Sequence, residues 1–279
     1  MGDRRSATNR GKKRLTDGAT VPNRYSSLVE RIFFRNYKPG MTEVRFRRDE
    51  LAIVAKELRM VLPKNLGDVL YSMRYRAALP SAISKTQPKG KEWVIEGRGR
   101  SVYAFVLVAI NLIVPNNNLA PIKIPDATPE IVEAYALSDE QALLAKVRYN
   151  RLVDIFLGAT AYSLQNHLRT TVAGLGQVEI DEIYVAIDSR GRQYVIPVQA
   201  KGGNDKLSSV QTKQDIACCR EKFPHLICRA ISAQFISRDL IALFALSASG
   251  SDVKIVEERH YRLVPAEQIS EADLREYDT

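Results

Sequence analysis

The stretch VEIDEIYVAIDSRGRQYVIPVQAKGG, residues 178–203, contains two apolar runs separated by the polar segment DSRGR at 188–192. Both runs are rich in β-branched and aromatic residues, and a short Gly-containing segment between two such runs predicts a β-hairpin. Because each run is almost continuously apolar, the two strands are expected near the centre of a sheet, covered on both faces. A charged residue in such a strand needs a structural or chemical reason. The polar residues of this hairpin are therefore the first candidates for a functional site.

Side chains alternate between the two faces of a strand, and this alternation sorts the polar residues of the hairpin. Glu179 and Asp181 share one face of the first strand, and Gln199 and Lys201 share one face of the second. If the register brings the open ends of the hairpin together, Asp181, Gln199 and Lys201 converge, with Glu179 beside them as a reserve acid. The alternative is the ordinary polar face of a hairpin, because charged residues at strand ends are often solvent-facing.

The converging residues predict a catalytic site that binds a divalent cation. Asp181 and Gln199 are the expected metal ligands, and with the Ala200 carbonyl and water they form an oxygen-rich site suited to Mg²⁺, for which Mn²⁺ can substitute. Lys201 would stand beside the metal and steady a hydroxide or the negative charge that develops on phosphorus. The predicted catalytic set is Asp181, Gln199, Lys201 and Glu179.

Two short segments carry a resemblance to a known superfamily. VEID at 178–181 ends in an aspartate, and QAK at 199–201 follows it, with 18 residues from Asp181 to Gln199. An aspartate on one strand followed by Glu-or-Gln–x–Lys at the end of the next strand resembles the PD-(D/E)xK nucleases. EID before a hairpin is similar to the motif of Holliday-junction resolvases. The Gln form of the last motif is similar to that of some restriction endonucleases acting on modified DNA.

The resemblance covers roughly residues 135–265 and implies an α/β fold, namely a restriction-endonuclease-like mixed sheet flanked by helices. It also implies Mg²⁺-dependent hydrolysis of DNA phosphodiesters, as in a type II restriction endonuclease. The chain departs from the pattern twice, because Ile180 stands where a proline usually precedes the aspartate and Gln199 replaces the usual carboxylate. A glutamate from a preceding helix often completes such sites in the superfamily, and Glu140 is the candidate here.

Positive charge is concentrated in the first third of the chain. The protein has 279 residues and a net charge of +9, but residues 1–100 alone carry a net of +13 and the remainder a net of −4. Such an asymmetry indicates that the N-terminal third meets a polyanion, most often nucleic acid. A merely soluble surface is the alternative, since charge alone discriminates weakly.

The predicted succession of helices and strands in the N-terminal third also resembles that of a DNA-binding domain. Its pattern predicts a helix, a short strand, two further helices and a hairpin over residues 26–110. This order resembles a winged-helix domain, in which the third helix enters the major groove and the hairpin, or wing, touches the backbone or the minor groove. A small winged-helix fold used for protein contact is the alternative. The residues expected to contact double-stranded DNA are Lys64, Arg74 and Arg76 on the third helix and Arg98 and Arg100 on the wing.

The rest of the chain predicts one α/β domain after a connecting segment. The predicted organisation is a disordered basic tail at 1–23, a winged-helix domain at 24–112, a linker at 113–134 and a nuclease domain at 135–279. Within the connecting segment, an extended edge strand is the alternative to a linker. Helices are expected at 138–158, 159–172 and 207–223, and strands at 226–236, 240–247 and 252–264.

Several functional classes are disfavoured. No run of 18 or more apolar residues occurs, so a cytoplasmic, intracellular protein of prokaryotic type with no membrane partner is expected. Three cysteines without a CxxC pair argue against a zinc ribbon. Cutting both strands of a duplex favours a symmetric homodimer.

The prediction is therefore a Mg²⁺-dependent DNA endonuclease. The alternatives are a non-catalytic DNA-binding regulator with a degenerate nuclease core, which the Gln at 199 favours, and a winged-helix regulator that senses a small ligand.

Overall fold

A computed structural model of the protein describes residues 25–63, 66–75, 78–109, 112–136, 139–202, 205–250 and 252–276, and every structural statement below concerns these residues. The basic tail predicted for 1–23 lies outside them. In the N-terminal part the elements are α1 (Ser26–Asn36), β1 (Glu43–Arg47), α2 (Arg48–Glu57), α3 (Leu66–Tyr75), α4 (Ser81–Ser84), β2 (Glu92–Gly97) and β3 (Val102–Val108).

The N-terminal helices cover a small antiparallel sheet with the strand order β1-β3-β2. Helix α1 buries Leu28, Ile32 and Phe33, which recur at helical spacing and lie on one face. The Phe33 ring packs edge-on against Trp93 of β2 and Phe105 of β3, with ring centroids 5.2 Å and 5.1 Å away. These contacts hold the helical layer on the sheet. The predicted order of helices and strands in this region is confirmed except for the short helix α4, which was not predicted.

The remaining elements begin with two short strands and three helices and continue into a large sheet. They are β4 (Leu112–Ile113), β5 (Ile122–Pro125), α5 (Glu130–Tyr135), α6 (Asp139–Tyr149), α7 (Leu152–Leu157), β6 (Ala159–Val172), β7 (Gly176–Asp188), β8 (Gln193–Lys201), β9 (Leu207–Ser208), α8 (Ser209–Lys222), β10 (Ile227–Cys228), β11 (Ala230–Phe235), β12 (Leu240–Ser249), β13 (Asp252–Val264), a short 3-10 helix (Ala266–Gln268) and α9 (Glu271–Glu276).

The large sheet is mixed and has helices on both faces, as predicted. Its order is β5-β13-β12-β11-β8-β7-β6, and β10 pairs with β8 as an eighth strand. Strands β8 and β11 run parallel, whereas β7 and β8 form the predicted antiparallel hairpin. Helices α6 and α7 pack on one apolar face through residues such as Leu143 and Phe156, and α8 packs on another through Cys218 and Cys219. The two central strands are thus buried by helices from two sides.

The helix predicted at 159–172 is wrong, because this segment is the edge strand β6. It pairs antiparallel with β7 along nearly its whole length, and the turn that joins the two strands contains Gly174 and Gly176 with φ angles of +75° and +91°. Ala161, Leu164 and Leu168 have helical spacing, but Leu164 is 51% exposed in the strand. Pairing with a long buried neighbour has outweighed the local helical pattern.

The other predicted segments need smaller corrections. The single helix predicted at 138–158 is two helices, because Arg151 breaks it with a left-handed φ of +52°. Within 113–134, Ile122–Pro125 is an edge strand that pairs parallel with Tyr261–Val264, which is the alternative weighed against a linker. None of the helices in the described ranges has the length and apolar character to cross a membrane.

Helix α8 also contacts the N-terminal sheet. Val210, near its start, packs in one buried cluster with Val94 and Val106 of that sheet. Lys213, one turn further on, forms an ion pair with Glu96 of β2. The helix that covers the β7–β8 hairpin is therefore attached on its other side to the N-terminal sheet.

Candidate functional site

The candidate site lies where the hairpin strands β7 and β8 separate. Their regular backbone pairing ends at Glu182 and Val198. Beyond this pair, the Ala200 N–H donates to Asp181 Oδ2 at 2.9 Å, and Gln199 Nε2 donates to the Glu179 carbonyl at 3.2 Å. Side chains thus replace the ladder hydrogen bonds that two continuing strands would make. This replacement places Asp181 and Gln199 next to each other at the point where the pairing of two central strands ends.

Lys201 meets an acid from helix α6. Its Nζ lies 2.9 Å from Glu140 Oε1, and its side chain is only 16% exposed. Gly202 permits this contact, because a Cβ atom at that position would lie 2.3 Å from the Asp139 Cβ atom. The start of α6 therefore packs directly on the chain that leaves β8. The glutamate expected from a preceding helix is in contact with Lys201.

Glu179 is placed differently from the other three predicted catalytic residues. Its carboxylate is 47% exposed and forms an ion pair at 2.9 Å with Arg169 of the edge strand β6. Only its backbone carbonyl contacts Gln199. The structure therefore brings Asp181, Gln199 and Lys201 together, and it supplies Glu140 rather than the Glu179 side chain as the acid beside Lys201.

Asp215 of α8 is a site residue that the sequence did not reveal. Its side chain is 2% exposed, and one carboxyl oxygen, Oδ1, is buried without a hydrogen-bond partner. The charges of Asp181 and Lys201 act on this carboxyl, which places Asp215 at the candidate site. A sequence signal did exist, because an aspartate directly precedes the apolar segment Ile216–Cys219 on a predicted helix. Such an acid has to be buried or paired when that face packs on a sheet.

The ionisable groups of the site perturb one another. Burial raises the pKa of Asp181, although the Ala200 N–H and the Lys201 charge act in the opposite direction. Burial likewise raises the pKa of Asp215 well above its ordinary value. Burial lowers the pKa of Lys201, but Glu140 and Asp181 outweigh it, so that this pKa is raised. At neutral pH Lys201 is therefore a cation in a largely buried setting.

The oxygen atoms near Asp181 fit a hard cation. Gln199 Oε1 is buried and has no hydrogen-bond partner. An orphaned carbonyl-type oxygen beside a carboxylate is a donor set that Mg²⁺ accepts. Among the residues that the structure describes, no group of three or more His, Cys, Asp and Glu side chains is arranged to hold a metal ion. The candidate ligands here are the Asp181 carboxylate and the Gln199 amide oxygen.

His167 of β6 lies beside the site by register. Its neighbours Asn166 and Leu168 pair with Glu182 and Ile180, which leaves His167 opposite Asp181. Its backbone is left-handed, with φ at +49°. A left-handed non-glycine residue in a strand is uncommon and recurs at functional sites.

The predicted DNA-contacting residues fall into three groups. Arg98 is 24% exposed at its side chain and forms ion pairs with Glu96 at 2.7 Å and Glu43 at 3.2 Å. Arg74 donates from Nε to the Ile95 carbonyl at 3.2 Å, so its guanidinium lies against β2 and does not reach outward as expected. Arg100 is exposed at the β2–β3 turn. Lys64 and Arg76 lie outside the described residues.

Comparison of the chain with protein-family models, with curated proteins and with solved structures returns no match. The function is therefore inferred from the fold and from the side-chain geometry.

Proposed function

We propose that the protein is a Mg²⁺-dependent DNA endonuclease of the PD-(D/E)xK type, which hydrolyses phosphodiesters as type II restriction endonucleases do. The observation that carries this proposal is the meeting of Asp181, Gln199 and Lys201 where two buried strands of a mixed sheet separate. Buried strands rarely bring three polar side chains together without a chemical reason. Perturbed ionisable groups clustered in this way are typical of active sites.

Asp181 and Gln199 would hold the metal ion. When bound, Mg²⁺ supplies positive charge that activates water and offsets the charge on the phosphate. Asp181 is fixed for this task, because the Ala200 N–H donates to one of its oxygens and leaves the other available. The orphaned Gln199 Oε1 is the second donor.

Lys201 would stabilise negative charge on the phosphate oxygens. Glu140 and Asp181 keep its pKa raised, so it acts as a cation and not as a general base at neutral pH. A fixed positive charge stabilises the negative charge of the transition state more strongly in a site that excludes water than in bulk water. Glu140 positions the ammonium group through its 2.9 Å contact.

The N-terminal part would bind duplex DNA as a winged helix. The element order α1-β1-α2-α3-α4-β2-β3, the strand order β1-β3-β2 and the net charge of +13 in residues 1–100 support this assignment. Arg100 is the exposed cation at the turn between β2 and β3, the position of a wing tip. Arg98, with Glu43 and Glu96, would stiffen the base of this wing. Cleavage of both strands would require a homodimer that pairs two such sites.

A non-catalytic DNA-binding regulator is the second candidate. It is favoured by the neutral Gln199, whose nitrogen is already engaged with the Glu179 carbonyl. Such a protein would bind DNA without consuming it, and binding would not depend on Asp181.

Incubation with supercoiled plasmid and Mg²⁺ or Mn²⁺ separates the two candidates. Wild-type protein should nick or linearise the plasmid, and Asp181→Ala and Lys201→Ala should not. Equal cleavage by all three proteins would place the activity elsewhere or in a contaminant. The absence of cleavage on unmethylated, methylated and branched DNA, with retained binding, would favour the regulator.

A further inference from the structure

A hollow opens at the turn end of the β7–β8 hairpin, away from the candidate catalytic site. Its volume is about 530 Å³, within the range of roughly 300–1,000 Å³ that is typical of small-molecule sites. Asp188 lines it and lies at the far end of β7 from Asp181, which places the hollow about 23 Å from the candidate site. We propose that this hollow binds a phosphate-bearing small molecule of about the size of a nucleoside monophosphate. This inference does not rest on the proposed nuclease function.

Three arginines supply the positive charge of the hollow. Arg190 and Arg192 come from the turn between β7 and β8, and Arg229 comes from the link between β10 and β11. The Arg229 backbone is fixed to the sheet, because its N–H donates to the Val195 carbonyl at 3.0 Å. Within the described ranges, neither Arg190 nor Arg229 forms an ion pair. Two guanidinium groups from separate segments therefore line the hollow without an acidic partner.

The third guanidinium group, that of Arg192, is held in place by Asp188. Asp188 Oδ2 accepts from Arg192 Nε at 2.6 Å and from the Tyr194 hydroxyl at 2.9 Å. Asp188 Oδ1 accepts from the backbone N–H groups of Arg190 and Arg192 at 2.9 Å and 3.0 Å. Because the side-chain contact uses Nε, the two terminal nitrogens of Arg192 remain for a ligand. An arginine fixed in this way matches the oxygen atoms of a phosphate group.

The two acids that line the hollow are both engaged by other groups. Both oxygens of Asp188 are hydrogen-bonded, and Glu257 Oε1 lies 2.6 Å from Arg259 Nη2. The charge left for a ligand is therefore positive and comes from more than one guanidinium group. A phosphomonoester carries close to two negative charges at neutral pH, so it suits such a site better than a carboxylate does.

The rest of the hollow offers an apolar surface. Phe156, Leu157, Ala245 and Val256 line it, and Val256 is 58% exposed. Covering an exposed apolar side chain stabilises a complex in proportion to the area removed from water. Inorganic phosphate has no group that could cover this surface. The hollow therefore fits an anion that also carries a ring, as a nucleoside monophosphate does.

Calorimetric titration of the full-length protein with AMP, GMP, CMP and UMP, without DNA or metal, tests this inference. The corresponding nucleosides and inorganic phosphate are the comparison ligands. At least one monophosphate should bind, at least about 10-fold more tightly than its own nucleoside and than inorganic phosphate. If none of the four binds, or if inorganic phosphate binds equally well, the inference is overturned.

Substitution of the arginines tests the location of the site. Arg192→Ala and Arg229→Ala should each weaken monophosphate binding by about 10- to 100-fold, because each removes charge-assisted hydrogen bonds. Arg192→Lys should recover only part of the loss, since an ammonium group lacks the fork geometry. The control is Arg275→Ala, at an 81% exposed arginine of α9 outside the hollow, and it should bind as wild type does.

Unfolding temperatures measured without ligand separate loss of the site from loss of the fold. Arg229→Ala is the safer variant in this respect, because it removes no ion pair among the described residues. Wild-type affinity in both alanine variants, or an equal loss in the control, would overturn the location. If the same two variants weaken binding of a duplex oligonucleotide while no monophosphate binds, the hollow is a DNA contact and the small-molecule assignment is wrong.

Discussion

Gly202→Ala should disturb the site without changing any of its polar groups. The added Cβ atom would lie 2.3 Å from the Asp139 Cβ atom and 3.0 Å from its backbone carbonyl carbon. Carbon atoms pack at about 3.5–4.0 Å, so the start of α6 must move away by roughly 1 Å or more. Overpacking of this kind costs about 1–3 kcal/mol, or about 2–10 °C in unfolding temperature for a chain of this size.

The same displacement should reduce DNA cleavage. Glu140 follows Asp139 directly in the chain. A shift of this size would therefore lengthen or break the 2.9 Å contact between Glu140 and Lys201. Because a misplacement of about 1 Å near the chemistry can cost roughly 100-fold in rate, cleavage should fall by about that factor.

Thermal unfolding and plasmid cleavage measure both effects, with Glu140→Gln and the double variant as controls. If displacement of Glu140 is the cause, Glu140→Gln and Gly202→Ala should reduce the rate non-additively. Wild-type stability and rate in Gly202→Ala would refute the packing argument.

Three further predictions concern the surroundings of the site. Arg100→Ala should weaken duplex binding and reduce the salt slope by about one phosphate contact; an unchanged slope in a mobility-shift series would contradict this. Gly97→Ala should lower the unfolding temperature, because its Cβ would lie 2.4 Å from the Leu175 carbonyl oxygen, and wild-type stability would argue against that close approach. Burial raises the pKa of Asp126, but hydrogen bonds and the Lys146 charge outweigh it and leave this pKa lowered. Its stabilising contribution is therefore present at neutral pH and lost as pH falls through the folded pKa, so the stability gap to Asp126→Asn should close on acidification; a widening gap in calorimetric scans would contradict the argument.

The sequence was sufficient to locate the hairpin and three of its polar residues. The apolar runs of β7 and β8 are long and locally unambiguous, and strand alternation then limits which side chains can meet. Lys201 and Gln199 could be predicted for this reason. Glu140 could be named only through the resemblance, because its approach to Lys201 depends on the glycine at 202.

Other features depend on contacts that a local pattern does not contain. The edge strand β6 has helical spacing of apolar residues, and only its pairing with β7 decides its conformation. Asp215 is buried because α8 packs over the hairpin, which its own sequence does not specify. Arg74 and Arg98 are basic residues at the expected positions, yet internal acceptors hold both of them. The number of basic residues in a segment is therefore larger than the number of residues that are free to contact DNA.

The most direct test compares single-turnover cleavage of one DNA substrate by wild type and Asp181→Asn at saturating protein concentration. Asparagine keeps the size of the side chain and an oxygen for the Ala200 N–H, but it removes the negative charge. The proposal predicts equal DNA affinity and unfolding temperature, with a cleavage rate reduced by at least about 100-fold. An Asp181→Asn protein that cleaves DNA at the wild-type rate would contradict the assignment of this site as the catalytic centre.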